Sequence, residues 1–232
     1  MIGLIIGSAF RTTGLLDGLQ ELTVETRHGQ VSVHTGSERI VLLRHAPDLA
    51  VPPHRINHQA NLRALAGLGA EKIIGANSTG SLQRSLAPGT IVIPHDYLCP
   101  WRIATYCENE VRHVTPVLDP ELRAVLAQAG RRSGLEPVTE AVYAQTIGPR
   151  YETPAEVRLL AQFAEIVGMT MANEADCAAE LGLPYAAVCA VDNWANGIDE
   201  TPLAHDDLLT RQVETIAAVE TLLLAAVEEL TA

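Results

Sequence analysis

The sequence predicts a three-layer α/β fold around a largely buried sheet. Short apolar runs alternate with amphipathic segments along the chain, without repeats or low-complexity linkers. The chain has 232 residues and is 47% hydrophobic, which suits one large domain better than two small ones. Apolar strands alternating with helical segments are typical of a sheet that is covered by helices on its faces.

Nine segments have the length and residue pattern of β-strands. Those at 21–26 and 31–34 are amphipathic, which is typical of strands with one face in solvent. The other strands are short runs of mostly apolar residues and are predicted to be buried. They lie at 4–6, 40–44, 72–76, 90–94, 141–146, 166–169 and 185–191.

Five segments are predicted to be helical. The first, at 57–68, has apolar side chains on one face and ends at Gly69. A second helix within 116–130 begins at Asp119, a good N-cap that is followed by proline. Three more helices are predicted at 154–163, at 174–181 with Asn173 as the N-cap, and at 203–230.

The segment 97–117 shows no clean periodicity. Long irregular loops in compact domains are usually functional or contact a neighbouring chain.

Charge, cysteine spacing and the N-terminal residues argue against several classes of protein. The net charge is −12 and Lys72 is the only lysine, so binding to a nucleic-acid backbone is not expected. The four cysteines show no CxxC pairing and are expected to be reduced thiols of a cytoplasmic protein. The N-terminus has neither a basic region nor a long apolar segment, so no signal peptide or membrane span is predicted.

No metal site is predicted from the histidines. His54 and His58 have helical spacing, but no acidic partner occupies a usual ligand position. We interpret these two as surface or interface histidines.

Polar residues lie just beyond several of the apolar runs. They are Ser8, Arg44, His45, Asn77, Ser78, Thr79, Thr170 and Asn193. In a parallel-type sheet such strand ends gather at one edge, where ligands bind. Arginine offers forked charged donors and hydroxyls offer single donors, which together suit an inorganic phosphate. Each residue taken alone could equally belong to a turn or a surface ion pair. The prediction therefore depends on finding such residues at several strand ends at once.

The turn at 148–156, GPRYETPAE, links a predicted strand to a predicted helix. It places Glu152 at the mouth of the α/β layer, where such proteins keep their chemistry. A carboxylate held there can accept two hydrogen bonds from a flat ligand. The alternative is that Glu152 is a helix N-terminal acid that complements the helix dipole.

Several segments together resemble one family. They are IIGS at 5–8, LRH at 43–45, PHRINHQAN at 53–61, NSTGSL at 77–82 with Pro88 and Gly89, GPRYET at 148–153, and GMT at 168–170 with Glu174 and Asn193. In order and spacing they resemble the trimeric purine nucleoside phosphorylase and methylthioadenosine phosphorylase family over nearly the whole chain.

The resemblance implies a nucleoside phosphorylase-like fold for the single domain 1–232, with a central mixed, mostly parallel twisted sheet flanked by helices. It also implies cleavage of the N-glycosidic bond of a purine nucleoside by phosphate, which gives the free base and ribose 1-phosphate. The implied partners are the nucleoside and inorganic phosphate as co-substrate, with no cofactor or metal. The implied assembly is a homotrimer or a dimer of trimers.

The resemblance also assigns roles to residues. Those implied to bind phosphate are Ser8, Arg44, His45, Ser78 and Thr170. Met169 is implied to lie against the ribose, and Tyr151 and Asn77 to lie beside the substrate. Glu152 and Asn193 are implied to read the base and to form the catalytic pair.

Two positions distinguish the branches of this family. The adenine-specific branch resembles a pattern with serine in place of Glu152 and aspartate in place of Asn193, whereas this chain has the pair of the 6-oxopurine branch. A carboxylate can accept from N1–H of hypoxanthine or guanine, which adenine lacks. His205 matches the position that binds the ribose 5′-hydroxyl in that branch, although it also fits an ordinary residue at a helix start.

The chain departs from the family pattern on the phosphate side. Ala9 replaces a second glycine, Leu49 stands where a histidine is expected, and Asp48 adds an acid nearby. The sequence therefore leaves three alternatives to a 6-oxopurine nucleoside phosphorylase. They are a 5′-methylthioinosine phosphorylase, a nucleoside hydrolase that uses water, and a catalytically weak nucleoside-binding protein.

Overall fold

The computed structural model describes residues 1–7, 10, 13–46, 50–101, 104–199 and 205–232, and for 205–214 the helical backbone alone. The strands of this part form one sheet with the order β2-β3-β4-β1-β5-β9-β8-β7, and β10 pairs with β5 and β6. They are β1 (Ile2–Ile6), β2 (Gln20–Thr26), β3 (Gly29–Thr35), β4 (Arg39–Leu43), β5 (Lys72–Ser81), β6 (Ile91–Val92), β7 (Asp96–Leu98), β8 (Val142–Gln145), β9 (Ile166–Gly168) and β10 (Tyr185–Trp194).

The sheet is mixed, as the family resemblance implies. The pairs β4–β1, β1–β5, β5–β10, β9–β8 and β8–β7 are parallel. The β2–β3 hairpin, its pairing with β4, and the pairs β5–β9 and β6–β10 are antiparallel. The strands β4, β1, β5 and β10 form one parallel group, and β9, β8 and β7 form a second. The exposed β2–β3 hairpin lies at one edge of the sheet, and β7 lies at the other.

Helices cover both faces of this sheet. They are α1 (His58–Gly67), α2 (Pro120–Arg132), α3 (Pro154–Leu160), α4 (Met171–Leu181) and α5 (His205–Thr231). Helices α1 and α4 share one apolar cluster with the sheet, whereas α2 and α5 share a second cluster. The two clusters contain alternate residues of β1, with Ile5 in the first and Leu4 and Ile6 in the second. The three-layer α/β prediction is therefore confirmed.

The structure corrects several predicted boundaries. Strand β5 runs to Ser81, and β10 runs to Trp194, because the two strands stay paired past their apolar halves. The polar residues after Ala76 therefore belong to β5 rather than to a turn. Helix α4 begins after Thr170, so Asn173 is not its N-cap. The Asn173 side chain instead accepts a hydrogen bond from the Ala104 backbone.

Strand β7 (Asp96–Leu98) overlaps the start of a segment predicted to be irregular. It pairs in parallel with β8, so its conformation depends on a partner distant in sequence. The four cysteines are free thiols: Cys177 and Cys189 are buried, and Cys99 and Cys107 are partly exposed.

Strand β5 changes neighbours along one of its edges. It pairs with β1 as far as Ala76 and with β9 from Gly80, while β10 occupies its other edge. Since a strand has two edges, β1 and β9 must share the first one. Within the described chain, no strand pairs with that edge at residues 77–79. We call this opening, between the end of β1 and the end of β9, the fork.

The packing at the end of β9 generates a prediction. A Cβ atom on Gly168 would collide with the buried hydroxyl of Tyr143, which accepts hydrogen bonds from the backbone of Thr170 and Met171. We expect Gly168→Ala to lower the free energy of unfolding by about 1–3 kcal/mol in urea titration, because the core has no room for the methyl group.

Gly67→Ala is the matched control for this substitution. Apart from its chain neighbours and the backbone of its own helix, no atom lies within 4 Å of the position of its Cβ at the end of α1. Alanine also favours a helix over glycine by about 1 kcal/mol. The control should unfold at the same or a higher urea concentration, and an equal loss in both variants would contradict the packing argument.

Candidate active site

Arg44 directly follows β4 and forms a buried ion pair with Glu174 of α4. Its Nε lies 2.5 Å and its Nη2 lies 3.1 Å from the two carboxylate oxygens. Nη1 donates to the Ala76 carbonyl at 2.9 Å, and Nη2 donates to the Ile5 carbonyl at 3.3 Å. The guanidinium has five N–H donors, so these bonds to described residues leave one on Nη1.

The charge of Arg44 is balanced inside the protein. Burial opposes the guanidinium charge, but the Glu174 carboxylate outweighs burial and raises the pKa of Arg44. Glu174 also accepts a hydrogen bond from the buried Tyr185 hydroxyl at 2.8 Å. Arg44 therefore stays protonated, but its paired charge attracts an anion less strongly than a free arginine would.

Asn77 and Ser78, on the part of β5 that borders the fork, present neutral polar groups. Asn77 Oδ1 accepts a hydrogen bond from the Thr170 hydroxyl at 3.0 Å. The other end of the same amide, Nδ2, is buried and has no hydrogen-bond partner. Ser78 is exposed, and its hydroxyl donates to the Asp192 carboxylate of β10. The structure thus brings Asn77, Ser78 and Thr170 together with Arg44 around the opening between β1 and β9.

His45 lies next to this group and is partly buried. Its Nδ1 lies 2.8 Å from the Val51 carbonyl, which only accepts, so Nδ1 carries the proton. Burial lowers the pKa of His45, and the nearby Arg44 charge lowers it further. The neutral ring therefore presents Nε2 as an acceptor. Ser8, also predicted to bind phosphate, and the side chain of His205 lie outside the described residues.

Glu152 lies between β8 and α3 and is only 7% exposed. Its Oε1 accepts from the Thr146 hydroxyl at 2.6 Å, and its backbone carbonyl accepts from Asn196 Nδ2 at 3.3 Å. Helix α3 begins with Thr153 as its N-cap, and Glu156 completes the capping box by accepting from the Thr153 backbone at 2.7 Å. The helix-start role therefore belongs to Glu156, and Glu152 turns toward the end of the sheet.

The remaining predicted substrate residues border this carboxylate or the fork. Asn193 lies next to a bulge in β10 and donates through Nδ2 to the Trp194 carbonyl at 2.7 Å. Burial, and then the carboxylates of Asp192 and Glu152, raise the pKa of the half-exposed Tyr151 hydroxyl. All of these groups therefore lie near one another at one end of the sheet.

Met169 packs against the turn that carries Glu152. Gly148 in that turn has a φ of +67°. A side chain there would also meet the Met169 thioether. Glycine is therefore required at 148 both by the backbone conformation and by the close approach of Met169.

A cavity of about 390 Å³ continues from Met169 and Thr146. Its lining includes His54, His58 and Trp101. His54 is exposed as predicted, but the prediction of a surface or interface position is wrong for His58, which is buried on the face of α1 that packs on the sheet. Helical spacing showed which residues share a face with His58, but not that this face turns inward.

Sequence reasoning missed two residues of the site. Asp192 binds the Ser78 hydroxyl, and Thr146 holds Glu152. Asp192 directly follows the predicted strand at 185–191, and Thr146 is the last residue of the predicted strand at 141–146, so a position at a strand end could have selected both. Among the described residues, no three His, Cys, Asp or Glu side chains group as metal ligands would, and none of the described helices could cross a membrane.

The buried ion pair generates a stability prediction. Glu174→Gln keeps the shape of the side chain but leaves the buried Arg44 charge uncompensated. We expect urea titration to show a loss of about 3–5 kcal/mol in the free energy of unfolding.

The exposed pair of Arg84 and Asp199, 3.4 Å apart, provides the control. Asp199→Asn should cost at most about 1 kcal/mol, because exposed pairs contribute little. A similarly small loss for Glu174→Gln would show that Arg44 does not depend on this partner.

Known proteins are similar to this chain in sequence and in structure. Residues 1–228 match the family model described as the phosphorylase superfamily. A probable 6-oxopurine nucleoside phosphorylase of Archaeoglobus fulgidus is 38% identical over 219 residues, which cover 92% of this chain and 90% of the relative. A probable S-methyl-5′-thioinosine phosphorylase of Methanocaldococcus jannaschii is 35% identical over 236 residues, which cover 99% of this chain and 91% of the relative.

The fold is also similar to that of a solved structure. Methylthioadenosine phosphorylase from Schistosoma mansoni, in complex with adenine, superposes with a TM-score of 0.87 at 25% identity. The match covers 99% of this chain and 91% of that chain. With a family model that spans nearly every residue and a similar fold, this chain belongs to the phosphorylase superfamily.

Proposed function

We propose that this protein cleaves 6-oxopurine nucleosides such as inosine and guanosine with phosphate, releasing the free base and ribose 1-phosphate. Several relatives named probable 6-oxopurine nucleoside phosphorylase, at 35–38% identity, support this substrate class. The geometry of Glu152 is the observation that carries the proposal.

Glu152 has the properties needed to recognise a 6-oxopurine. Its carboxylate is buried, and the Thr146 hydroxyl fixes Oε1, so Oε2 can accept from N1–H of hypoxanthine or guanine. Adenine has no hydrogen on N1 and would leave this buried carboxylate without its donor, at a cost of about 1–3 kcal/mol. The proposed site therefore discriminates by the hydrogen on N1.

Asn193 serves the leaving base in this proposal. Cleavage breaks the bond between N9 and C1′, and the electron pair of that bond moves into the purine ring. A phosphate oxygen forms the new bond to C1′, and the base takes up a proton. The Asn193 amide has a second N–H beside the one bonded to Trp194, and this donor can stabilise the charge at N7 or O6.

The proposed phosphate position is the fork. Asn77 Nδ2 is a buried donor without a partner, and Arg44 Nη1 has a second N–H besides the one bonded to the Ala76 carbonyl. The hydroxyls of Ser78 and Thr170 border the fork and would turn from Asp192 and Asn77 to donate to a bound phosphate, with Ser8 as a further proposed ligand. Phosphate held there would stabilise the positive charge that develops on the ribose.

A second candidate is 5′-methylthioinosine phosphorylase. Relatives with that name are 33–40% identical to this chain. Such an enzyme would use the same base-reading residues and would differ only where the 5′ group of the sugar binds.

The assembly and the location of the protein are further proposals. We propose a cytoplasmic homotrimer or dimer of trimers. Exposed apolar residues on the segment 97–117, Trp101, Val111 and Val117, support contact with neighbouring copies. The molar mass from light scattering tests this assembly.

The activity is tested by a panel of inosine, guanosine and adenosine with and without phosphate. We expect phosphate-dependent release of hypoxanthine and guanine, and much slower release of adenine. Release at the same rate without phosphate would identify a hydrolase, and nucleoside binding without turnover would identify a binding protein.

The role of Glu152 is tested by Glu152→Gln. The amide of glutamine can donate to N1 of adenine, so we expect the preference for inosine over adenosine, measured as a ratio of kcat/KM, to fall about 10- to 100-fold.

Glu156→Gln is the control, because Glu156 lies in the same turn but is bound to Arg150 and the Thr153 backbone. This variant should keep the wild-type preference. An unchanged preference in Glu152→Gln would remove Glu152 from base recognition.

A further inference from the structure

Three polar side chains on one face of α4 hold the chain that follows the start of β7. Asn173, Asp176 and Glu180 are spaced by three and four residues, so they lie on the same side of the helix. Asp176 accepts a hydrogen bond from the Tyr97 hydroxyl at 2.6 Å, and Asn173 accepts one from the Ala104 backbone at 2.8 Å. This face of α4 therefore fastens residues 104–107, which form neither helix nor strand.

Glu180 makes two contacts with this irregular chain. Its Oε1 accepts from the Thr105 hydroxyl at 2.6 Å, and its Oε2 accepts from the Tyr106 backbone N–H at 2.5 Å. The Thr105 oxygen in turn accepts from the Cys107 backbone N–H at 3.0 Å. One carboxylate thus fixes the conformation of three successive residues, through bonds of the stronger, charge-assisted kind. We call Trp101 and residues 104–107 the cover segment.

Helix α1 also bonds to the cover segment. Gln59 Nε2 donates to the Thr105 carbonyl at 2.5 Å, and the Tyr106 hydroxyl donates to the Gln59 carbonyl at 2.7 Å. The Arg63 guanidinium lies 5.0 Å from the centroid of the Tyr106 ring, which is a cation–π contact. The cover segment is therefore fixed to two helices that share one apolar cluster with the sheet.

The cover segment forms part of the wall of the cavity of about 390 Å³. Trp101 and Thr105 line this cavity. Met169, the proposed ribose-face residue, and Thr146, the partner of Glu152, line it as well. The cover segment therefore borders a space that is continuous with the proposed site of the nucleoside.

Trp101 connects the cover segment to the base side of the site. Its Nε1 donates to the Gln145 carbonyl at 2.7 Å. Gln145 is the last residue of β8 and directly precedes Thr146, whose hydroxyl fixes Glu152. The cover segment is therefore bonded to the strand end that orients the proposed base-reading carboxylate.

We propose that Glu180 is a positioning residue of the nucleoside site. It is not among the described residues that line the cavity, so it acts through the cover segment that it holds. Without Glu180, part of the binding free energy of the nucleoside would be spent on ordering this segment. Because that cost falls equally on the bound substrate and on the transition state, KM rises while kcat is retained. This inference rests on the proposed function.

The test compares wild type with Glu180→Ala, which removes both bonds, and with Glu180→Gln. Glutamine can still accept from the Tyr106 N–H and can donate to the Thr105 oxygen. Thr105→Val removes one of the two bonds from the side of the cover segment. Glu165→Ala is the matched control, because Glu165 also accepts from a backbone N–H, that of Val142 at 2.6 Å, but at the opposite end of β8.

Three measurements separate the steps of the argument. Hydrogen exchange in peptides that cover residues 101–107 reports whether the cover segment is held. Calorimetry with inosine in the absence of phosphate reports binding independently of turnover. The KM and kcat for inosine and the KM for phosphate then separate binding from chemistry. Thermal unfolding and light scattering check that each variant keeps the wild-type fold and assembly.

We expect faster exchange of the cover segment in Glu180→Ala. The KM and the dissociation constant for inosine should each rise about 10-fold, which is the size expected when hydrogen bonds to a charged group are lost. The kcat and the KM for phosphate should stay within about two-fold of wild type. Thr105→Val should change the same quantities by less, Glu180→Gln should stay close to wild type, and Glu165→Ala should keep the wild-type affinity for inosine.

The proposal is overturned if the cover segment of Glu180→Ala exchanges at the wild-type rate, or if it exchanges faster while inosine binds as in wild type. An equal loss of inosine affinity in Glu165→Ala would also overturn it, because the loss would then not depend on the cover segment. If Glu180→Ala does not fold, Thr105→Val decides by the same criteria. Absence of phosphate-dependent base release by wild type would instead contradict the proposed function, and the exchange rates and inosine affinities would still decide the role of Glu180.

Discussion

The ion pair between Arg44 and Glu174 joins the elements that surround the fork. Arg44 bonds to the carbonyls of Ile5 in β1 and Ala76 in β5, and Glu174 binds Tyr185 of β10. Three parallel strands and helix α4 are therefore fixed around one buried pair of charges. Because these charges balance each other, the proposed phosphate position must rely on neutral groups such as the Asn77 amide as well as on arginine.

The two ends of the candidate site are organised differently. On the base side, a single carboxylate is oriented by Thr146 and by a turn whose helix is capped independently by Thr153 and Glu156. On the phosphate side, Asn77 and Ser78 lie on β5 between the residues that pair with β1 and the residues that pair with β9. The base side therefore depends on the conformation of a turn. The phosphate side depends on the gap between β1 and β9 along one edge of β5.

Much of the fold could be predicted from local patterns. The apolar runs of β1 and β4 and the capped start of α2 lie within two residues of their predicted limits. Prediction failed where a distant partner decides the structure. The polar end of β5 remains a strand because β10 pairs with it, and β7 exists because β8 lies beside it. Neither partnership leaves a signal in the paired segment itself.

The sequence by itself determined the alternation of strands and helices and the residue types at the strand ends, because these follow from local spacing and hydrophobicity. It also marked Glu152 as a turn residue with two possible roles. Only the tertiary structure separated those roles, by giving the helix cap to Glu156 and the Thr146 contact to Glu152. The same is true of His58, since helical spacing defines a face, whereas its burial against a cavity depends on what the rest of the chain packs against it.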